Sequence, residues 1–479
     1  MTTAAPPASA SLDRRAWGAL LVLCSALFLD ALDVSMVGVA LPSISSDLSM
    51  STGSLQWVVS AYVLGYGGFL LLGGRAADLL GRRRVFLISL GVFAVASLLG
   101  GLVDDGTLLV ITRFIKGVSA AFTAPAGLSI ITTSFAEGPA RNKAIAVYTA
   151  TGATGFSLGL VIGGLLTEIG WRWVFLLPVP VALATLAAAI RLVPDPGRAP
   201  AGARRGFDLP GAAAITAGML LLVYTVVEAP DVGWASAQTL LSLAGVVALM
   251  SAFVAIEHRT AQPLVRLGIL RSSALVRANL GAMALFGSWV GFQFIATLYM
   301  QQARGWSPLE TGLAIFPGGL VVMLLAPRLG PLIGRLGTTR LIALGLGSAA
   351  AGYALFLPIG IDSPYWIAML PTMLLAGLGF ALAYGPLNIA ATNGIAPHEQ
   401  GLAGGLVNTS FQFGGALALA VVTAVNSAYT DPSAGAEGLL DGFKPALLVS
   451  LVVALLGVAA VSLRFRPRPV REGELERAA

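Results

Sequence analysis

Asp30 and Asp33 stand in an apolar run from Trp17 to Leu41, and Arg113 and Lys116 stand in another from 107 to 133. A carboxylate inside a membrane span costs several kcal/mol unless it is paired or neutralised, so one that persists there marks an ion or substrate path. Burial favours the protonated acid and a nearby cation favours the anion, so a cation that moves between two conformations switches proton affinity. We assign the proton-carrying role to Asp33 and the partner cation to Arg113. Asp30 lies three residues earlier on the same helix face, which leaves it as a second proton site or a structural hydrogen-bonder. Plainer readings stand beside these. Asp33 could cap or pack near a helix end, and Arg113 and Lys116 could extend to an interface as long basic side chains do.

Other chemistries find little support. The two histidines, His258 and His398, fall in polar connections and the single cysteine, Cys24, falls in the first apolar run, so an internal disulfide is impossible and a Cys/His metal site is not expected. Asp104 and Asp105 form only an acidic pair in a short loop, no GxxxxGK[ST] phosphate loop occurs, and no enzyme activity is expected. Arg14 and Arg15 before an apolar run imitate a twin-arginine export signal. That run is too long for a signal segment, carries two aspartates and ends without a cleavage site, so it reads as a retained first span.

What must position these residues is a membrane-embedded helical bundle. The chain has 479 residues, 56% hydrophobic and 11% charged, against roughly 25% charged in ordinary soluble domains. Runs of about 20 apolar residues are needed per span. They occur near 17–41, 55–73, 85–103, 107–133, 144–167 and 173–193, then 209–228 and 237–256, then 274–301, 309–333, 340–360, 364–393, 401–428 and 445–463. The expected organisation is a tail (1–15), a six-helix bundle (16–193), a linker with two extra helices (194–258), a second six-helix bundle (259–465) and a tail (466–479). With the N-terminus inside, Arg172, Arg304 and Lys444 fall in outer loops and Arg113 and Lys116 within or at the edge of a span. The remaining 24 of 29 lysines and arginines are then inside, as cytoplasmic loops require. The positive charge of +6 is thereby a topology signal and not a nucleic-acid surface. Both termini are expected in the cytoplasm of a multi-pass cell-membrane protein.

The segment from Gly74 to Arg84, with Gly81, follows the second span, and the segment from Gly330 to Arg340, with Gly337, follows the second span of the last six in the same register. Such duplication is common in transporters that alternate access around a midplane site.

With these residues in view the chain resembles the major facilitator superfamily, in particular its fourteen-helix drug:proton antiporter family, over nearly its whole length. The match rests on Leu32 to Pro42 in the first helix, Trp57 and Tyr62 in the second, the loop from Gly74 to Arg84, Arg113 with Gly117 in the fourth, Gly155, Gly159, Gly163 and Gly164 in the fifth, and Trp171 to Phe175. The resemblance implies an all-α fold of two six-helix bundles plus two central helices, and export of drug-like molecules driven by the proton gradient without a cofactor. It implies a conformational latch at Gly74, Asp78, Gly81, Arg82 and Arg83, where Gly74 and Gly81 permit close approach and a tight turn and Asp78 pairs with arginines or a helix N-terminus. Gly155, Gly159 and Gly163 form a small-residue stripe for close helix packing. The chain departs from the family at Lys116 (usually glutamine), which adds a second cation near Arg113 that would tune proton affinity or favour an acidic substrate, at Leu160 (proline) and at Pro178 (asparagine), and Gly334 stands at the repeat position of Asp78.

The expected partners are a small-molecule substrate, protons and the lipid bilayer, for a chain acting as a monomer. Tyr62, Tyr66, Trp289, Phe292 and Tyr384 are candidates to line a substrate cavity, with Lys116 and Asn388 as polar members. Aromatic faces there suit hydrophobic or cationic ligands.

Overall fold

The structure is a computed structural model that describes residues 14–135, 139–194, 208–260, 263, 265, 267–325, 328–395 and 400–462. Fourteen of its helices are long and apolar enough to cross a membrane. In lipid only helices or closed barrels satisfy every backbone group, and among the described residues there is no strand. The first six are α1 (Arg14–Leu48), α2 (Thr52–Leu80), α3 (Arg82–Leu102), α4 (Gly106–Ser134), α5 (Pro139–Ile169) and α6 (Trp173–Leu192). Two follow, α7 (Leu209–Val232) and α8 (Ala237–Arg259). The last six are α9 (Ser273–Ala303), α10 (Pro308–Leu325), α11 (Thr338–Phe356), α12 (Tyr365–Thr392), α13 (Gln400–Tyr429) and α14 (Gly435–Ser462).

Every expected span is present, with two corrections. The run read as 309–333 is not one helix: α10 stops at Leu325, and a separate helix, Leu329–Leu336, follows. Its Leu329, Leu332, Ile333 and Leu336 recur at helical spacing with no residue buried in the protein, the pattern of a helix lying in a membrane surface. The last span begins ten residues earlier than its apolar run, at Gly435, so Glu437, Asp441 and Lys444 are helical and not in a loop. The repeat holds at its turns: Gly81 (φ 97°) before α3 and Gly337 (φ 76°) before α11 both adopt the left-handed backbone that glycine tolerates. The expected tails beyond α1 and α14, and residues 195–207 of the expected linker, lie outside the described residues.

The two bundles meet along α5 with α10, α2 with α13, and α1 with α9. At the end carrying Trp171 they share one apolar cluster, in which Val39, Leu41, Ile44, Leu55 and Phe175 of the first half join Phe292, Tyr299, Phe356, Leu419 and Phe443 of the second. Towards the Arg82 end the apolar packing divides. One cluster there belongs to the first half alone, with Leu20, Phe86 and Ile130, and another to the second half alone, with Leu275, Ile342 and Phe411. The halves are thus joined at one end and separately packed at the other, except along the α2–α13 seam. That seam is where α7 lies: Met219, Val223 and Val227 pack on Tyr62, Val63 and Leu64 of α2 and on Phe413, Ala416 and Ala420 of α13. α8 packs on α7 and leaves Leu240, Leu241 and Val247 exposed on its outer face.

Candidate functional site

Within the spans of the first half, Asp33, Arg113 and Lys116 meet at one point. Asp33 projects from α1, and Arg113 and Lys116, three residues apart on one face of α4, reach it from across the bundle. All three are buried, Arg113 with 1% of its surface exposed. Arg113 Nη1 donates to Asp33 Oδ2 at 2.5 Å and its Nε to the Val58 carbonyl at 2.9 Å. Lys116 Nζ donates to Asp33 Oδ1 and, at 2.9 Å, to Ser97 Oγ on α3, whose hydroxyl in turn donates to the Phe175 carbonyl at 2.8 Å. Aromatic faces enclose the cations: the Arg113 guanidinium lies 4.5 Å from the Tyr62 ring centre, and the Lys116 ammonium 4.6 Å from Phe93 and 5.3 Å from Phe175. Arg113 and Lys116 therefore do not stretch to an interface, and of the sequence readings of Lys116 its position matches the second cation beside Arg113 and not the cavity residue.

Removing such charges from water costs several kcal/mol per ion, and good geometry with satisfied hydrogen bonds is needed to offset it. Both Asp33 oxygens are satisfied, one per cation. Asp30 is also buried, but its Oδ2 finds no hydrogen-bond partner among the described residues. Two cations thus face one bonded carboxylate and one unbonded carboxyl group.

Around this cluster the helices touch backbone to backbone. A Cβ built on Gly155 would stand 2.7 Å from the Phe28 carbonyl oxygen, one on Gly159 2.7 Å from that of Leu32, and one on Gly163 2.6 Å from Met36 Cα. The stripe of α5 thus packs on the Phe28, Leu32 and Met36 side of α1, while Asp33 points from a different side, roughly 100° round the helix from Leu32. Gly164 faces the other way, onto Pro308 of α10. Leu160 sits at the same interface, with its carbonyl against Gly312.

At the expected latch, Arg82 Nη1 donates to the Ser129 carbonyl of α4 at 3.5 Å and Arg83 Nη2 to the Ile190 carbonyl of α6 at 2.6 Å. Ile190 lies in the last turn of α6, where a cation binds unsatisfied carbonyls and complements the dipole. Gly74 has its nearest neighbour, Pro125 Cβ, 3.8 Å from a built Cβ, so the close approach expected there belongs to Gly73, which abuts the Ala121 carbonyl. The Asp78 side chain lies outside the described atoms.

The aromatic candidates divide. Tyr66 meets Tyr62 edge-on at 6.2 Å. Trp289 lies between Phe156 of α5 (6.3 Å) and Phe380 of α12 (5.4 Å), and Tyr384 stacks on Phe380 at 5.1 Å and against Phe411 at 5.0 Å. A row of rings thus runs from the first half into the second, with Tyr384 40% exposed. Phe292 is not part of it: it stacks on Tyr353 at 4.7 Å inside the second bundle and is a core residue. Asn388 turns back to the Tyr384 carbonyl of its own helix at 2.9 Å. Sequence reasoning missed Ser97, Phe93 and Phe175 around Lys116 and the linking rings Phe156, Phe380 and Phe411.

Residues 23–419 match the Major Facilitator Superfamily. The chain belongs to that superfamily. It is 38% identical over 443 residues to the cephamycin export protein CmcT of Amycolatopsis lactamdurans, covering 91% of each chain. It is 39% identical over 464 residues to the puromycin resistance protein pur8 of Streptomyces alboniger, covering 93% of this chain and 90% of the relative. Among solved structures, the major facilitator fold is matched by the nucleoside transporter NupG with a TM-score of 0.66 at 13% identity, covering 92% of this chain and 98% of that one. This is a major facilitator transporter related to antibiotic export and resistance proteins.

Proposed function

We propose that this protein exports hydrophobic or amphiphilic, antibiotic-like molecules from the cytoplasm in exchange for protons by alternating access, with Asp33 carrying the proton. The observation that supports this most is the fully buried Asp33 carboxylate held between two cations. A proton arriving there has to displace a cation, so proton binding and side-chain rearrangement are one event. With the basic loops cytoplasmic, the joined Trp171 end faces outward, the separately packed end faces the cytoplasm, and both termini are cytoplasmic. The arrangement is then an inward-facing state in which substrate loads along the ring row from Trp289 to Phe411.

In the cycle, outward-facing Asp33 takes a proton as substrate leaves, and the inward-facing form returns the proton to the cytoplasm and reloads. The proton gradient supplies the energy, no cofactor takes part, and a monomer suffices. Expression in an exporter-deficient host, with a susceptibility panel including puromycin and a cephamycin, tests export. Proton flux in everted vesicles tests coupling, and Asp33→Asn abolishes it while leaving the protein in the membrane. Undiminished export by that variant would sink the mechanism.

A narrower reading is an exporter dedicated to one compound. Relatives named for a single antibiotic favour it, and protection against one compound alone in the panel would select it.

A further inference from the structure

The two cations on Asp33 are held in different ways. Arg113 is anchored apart from the carboxylate, by Nε on the Val58 carbonyl at 2.9 Å and by its face on Tyr62 at 4.5 Å. Lys116 donates to no backbone carbonyl among the described residues; it carries a compact charge on a flexible stem and already has a second acceptor in Ser97 Oγ at 2.9 Å. The groups facing Lys116 are Asp33 and Asp30 from α1, Arg113 from its own helix, Ser97 and Phe93 from α3 and Phe175 from α6, with Tyr62 of α2 beyond Arg113. Among the described residues α3 and α6 bring it no counter-charge. The motif this chain resembles has glutamine here, which could hydrogen-bond a carboxylate without charge.

We propose that Lys116 is a positioning residue for the proton step: when Asp33 is protonated it is the Lys116 ammonium that yields, retreating onto Ser97, while Arg113 stays in place. A proton from the open side forms an O–H bond at Asp33 Oδ1 as the hydrogen bond from Lys116 Nζ is lost. The ammonium keeps its three N–H bonds and its charge, held by Ser97 Oγ and the ring faces of Phe93 and Phe175. Loss of the proton to the other side restores the contact. Lys116 thereby competes with the proton for one oxygen and sets how tightly Asp33 binds it, and Ser97 sets the competition by offering the ammonium an alternative. This rests on the reading that Asp33 carries the proton.

The test needs no transported substrate. The purified full-length chain is titrated by infrared difference spectroscopy, and the protonated-carboxyl band lost in Asp33→Asn is followed with pH. Removing a cation in contact with a carboxylate in a medium of low polarity is expected to tighten proton binding by at least about tenfold in Lys116→Gln. Lys116→Arg keeps the charge and returns to near the wild-type affinity. Ser97→Ala, which removes the retreat, weakens proton binding several-fold. A purely structural role changes band intensity or thermal stability and leaves the titration where it was. Wild-type titration in a folded Lys116→Gln protein overturns the proposal, and if that variant does not fold, wild-type titration in Ser97→Ala does so. A wild-type protein with no titrating band assignable to Asp33 overturns the proton assignment itself, a different failure.

Discussion

Gly164 of α5 lies against the backbone of Pro308 at the start of α10, so that a Cβ on Gly164 would stand 2.6 Å from the Pro308 carbonyl oxygen and 2.7 Å from Leu309 Cα. The neighbouring Gly163 faces α1 instead. One glycine thus serves packing within the first half, and the next serves closure between the halves.

Gly164→Val is expected to hold the halves apart at the Trp171 end. Overpacking of a tight contact costs about 1–3 kcal/mol, which shifts a two-state equilibrium by roughly 5- to 150-fold. Cysteine accessibility from that side should rise and transport should fall, with the protein still folded. Wild-type accessibility in this variant would show that the contact does not hold that end closed.

Asp33→Asn should also destabilise the fold, because it leaves Arg113 and Lys116 buried without their counter-charge. Breaking a buried pair in this way costs about 3–5 kcal/mol. Adding Lys116→Gln removes one orphaned charge, so the double variant is expected to melt above Asp33→Asn alone. Thermal unfolding in detergent measures both, and strictly additive losses would mean that the two residues are not coupled.

Gly117 of α4 sits on the backbone of Tyr62, with the Tyr62 Cα 2.9 Å from a built Cβ. Gly117→Val should part α2 from α4 and loosen the Val58 and Tyr62 contacts of Arg113. The measurement is again the melting temperature, with a loss of about 1–3 kcal/mol. A variant as stable as wild type would mean that the helices separate at no cost.

The position of α7 on the seam is open to a direct check. A Cβ on Gly68 of α2 would lie 3.1 Å from Thr216 Cβ of α7, close to disulfide range. The double variant Gly68→Cys and Thr216→Cys should cross-link under mild oxidation in membranes. Two thiols that stay open to maleimide after oxidation would remove α7 from this seam.

Much of this molecule was legible along the chain because the bilayer imposes one-dimensional rules. Span length, apolar content and the side of the basic loops can each be read without knowing a contact, and together they give six, two and six helices. Asp33 and Arg113 stood out for the same reason, since an ionisable group in an apolar run is costly wherever the run sits. The faces of the helices were not legible. A helix in lipid is apolar nearly all round, so periodicity does not say which side meets protein. That is why Phe292 read as a cavity residue and proved to be core, and why Lys116 read alike as a second cation, a cavity residue or an interfacial side chain until its ammonium was seen to bond a carboxylate 83 positions away. The seat of α7 across the α2–α13 seam, the opposite duties of Gly163 and Gly164, and the meeting of α1, α3, α4 and α6 around one carboxylate were decided by tertiary packing alone, because each depends on which backbones approach closely.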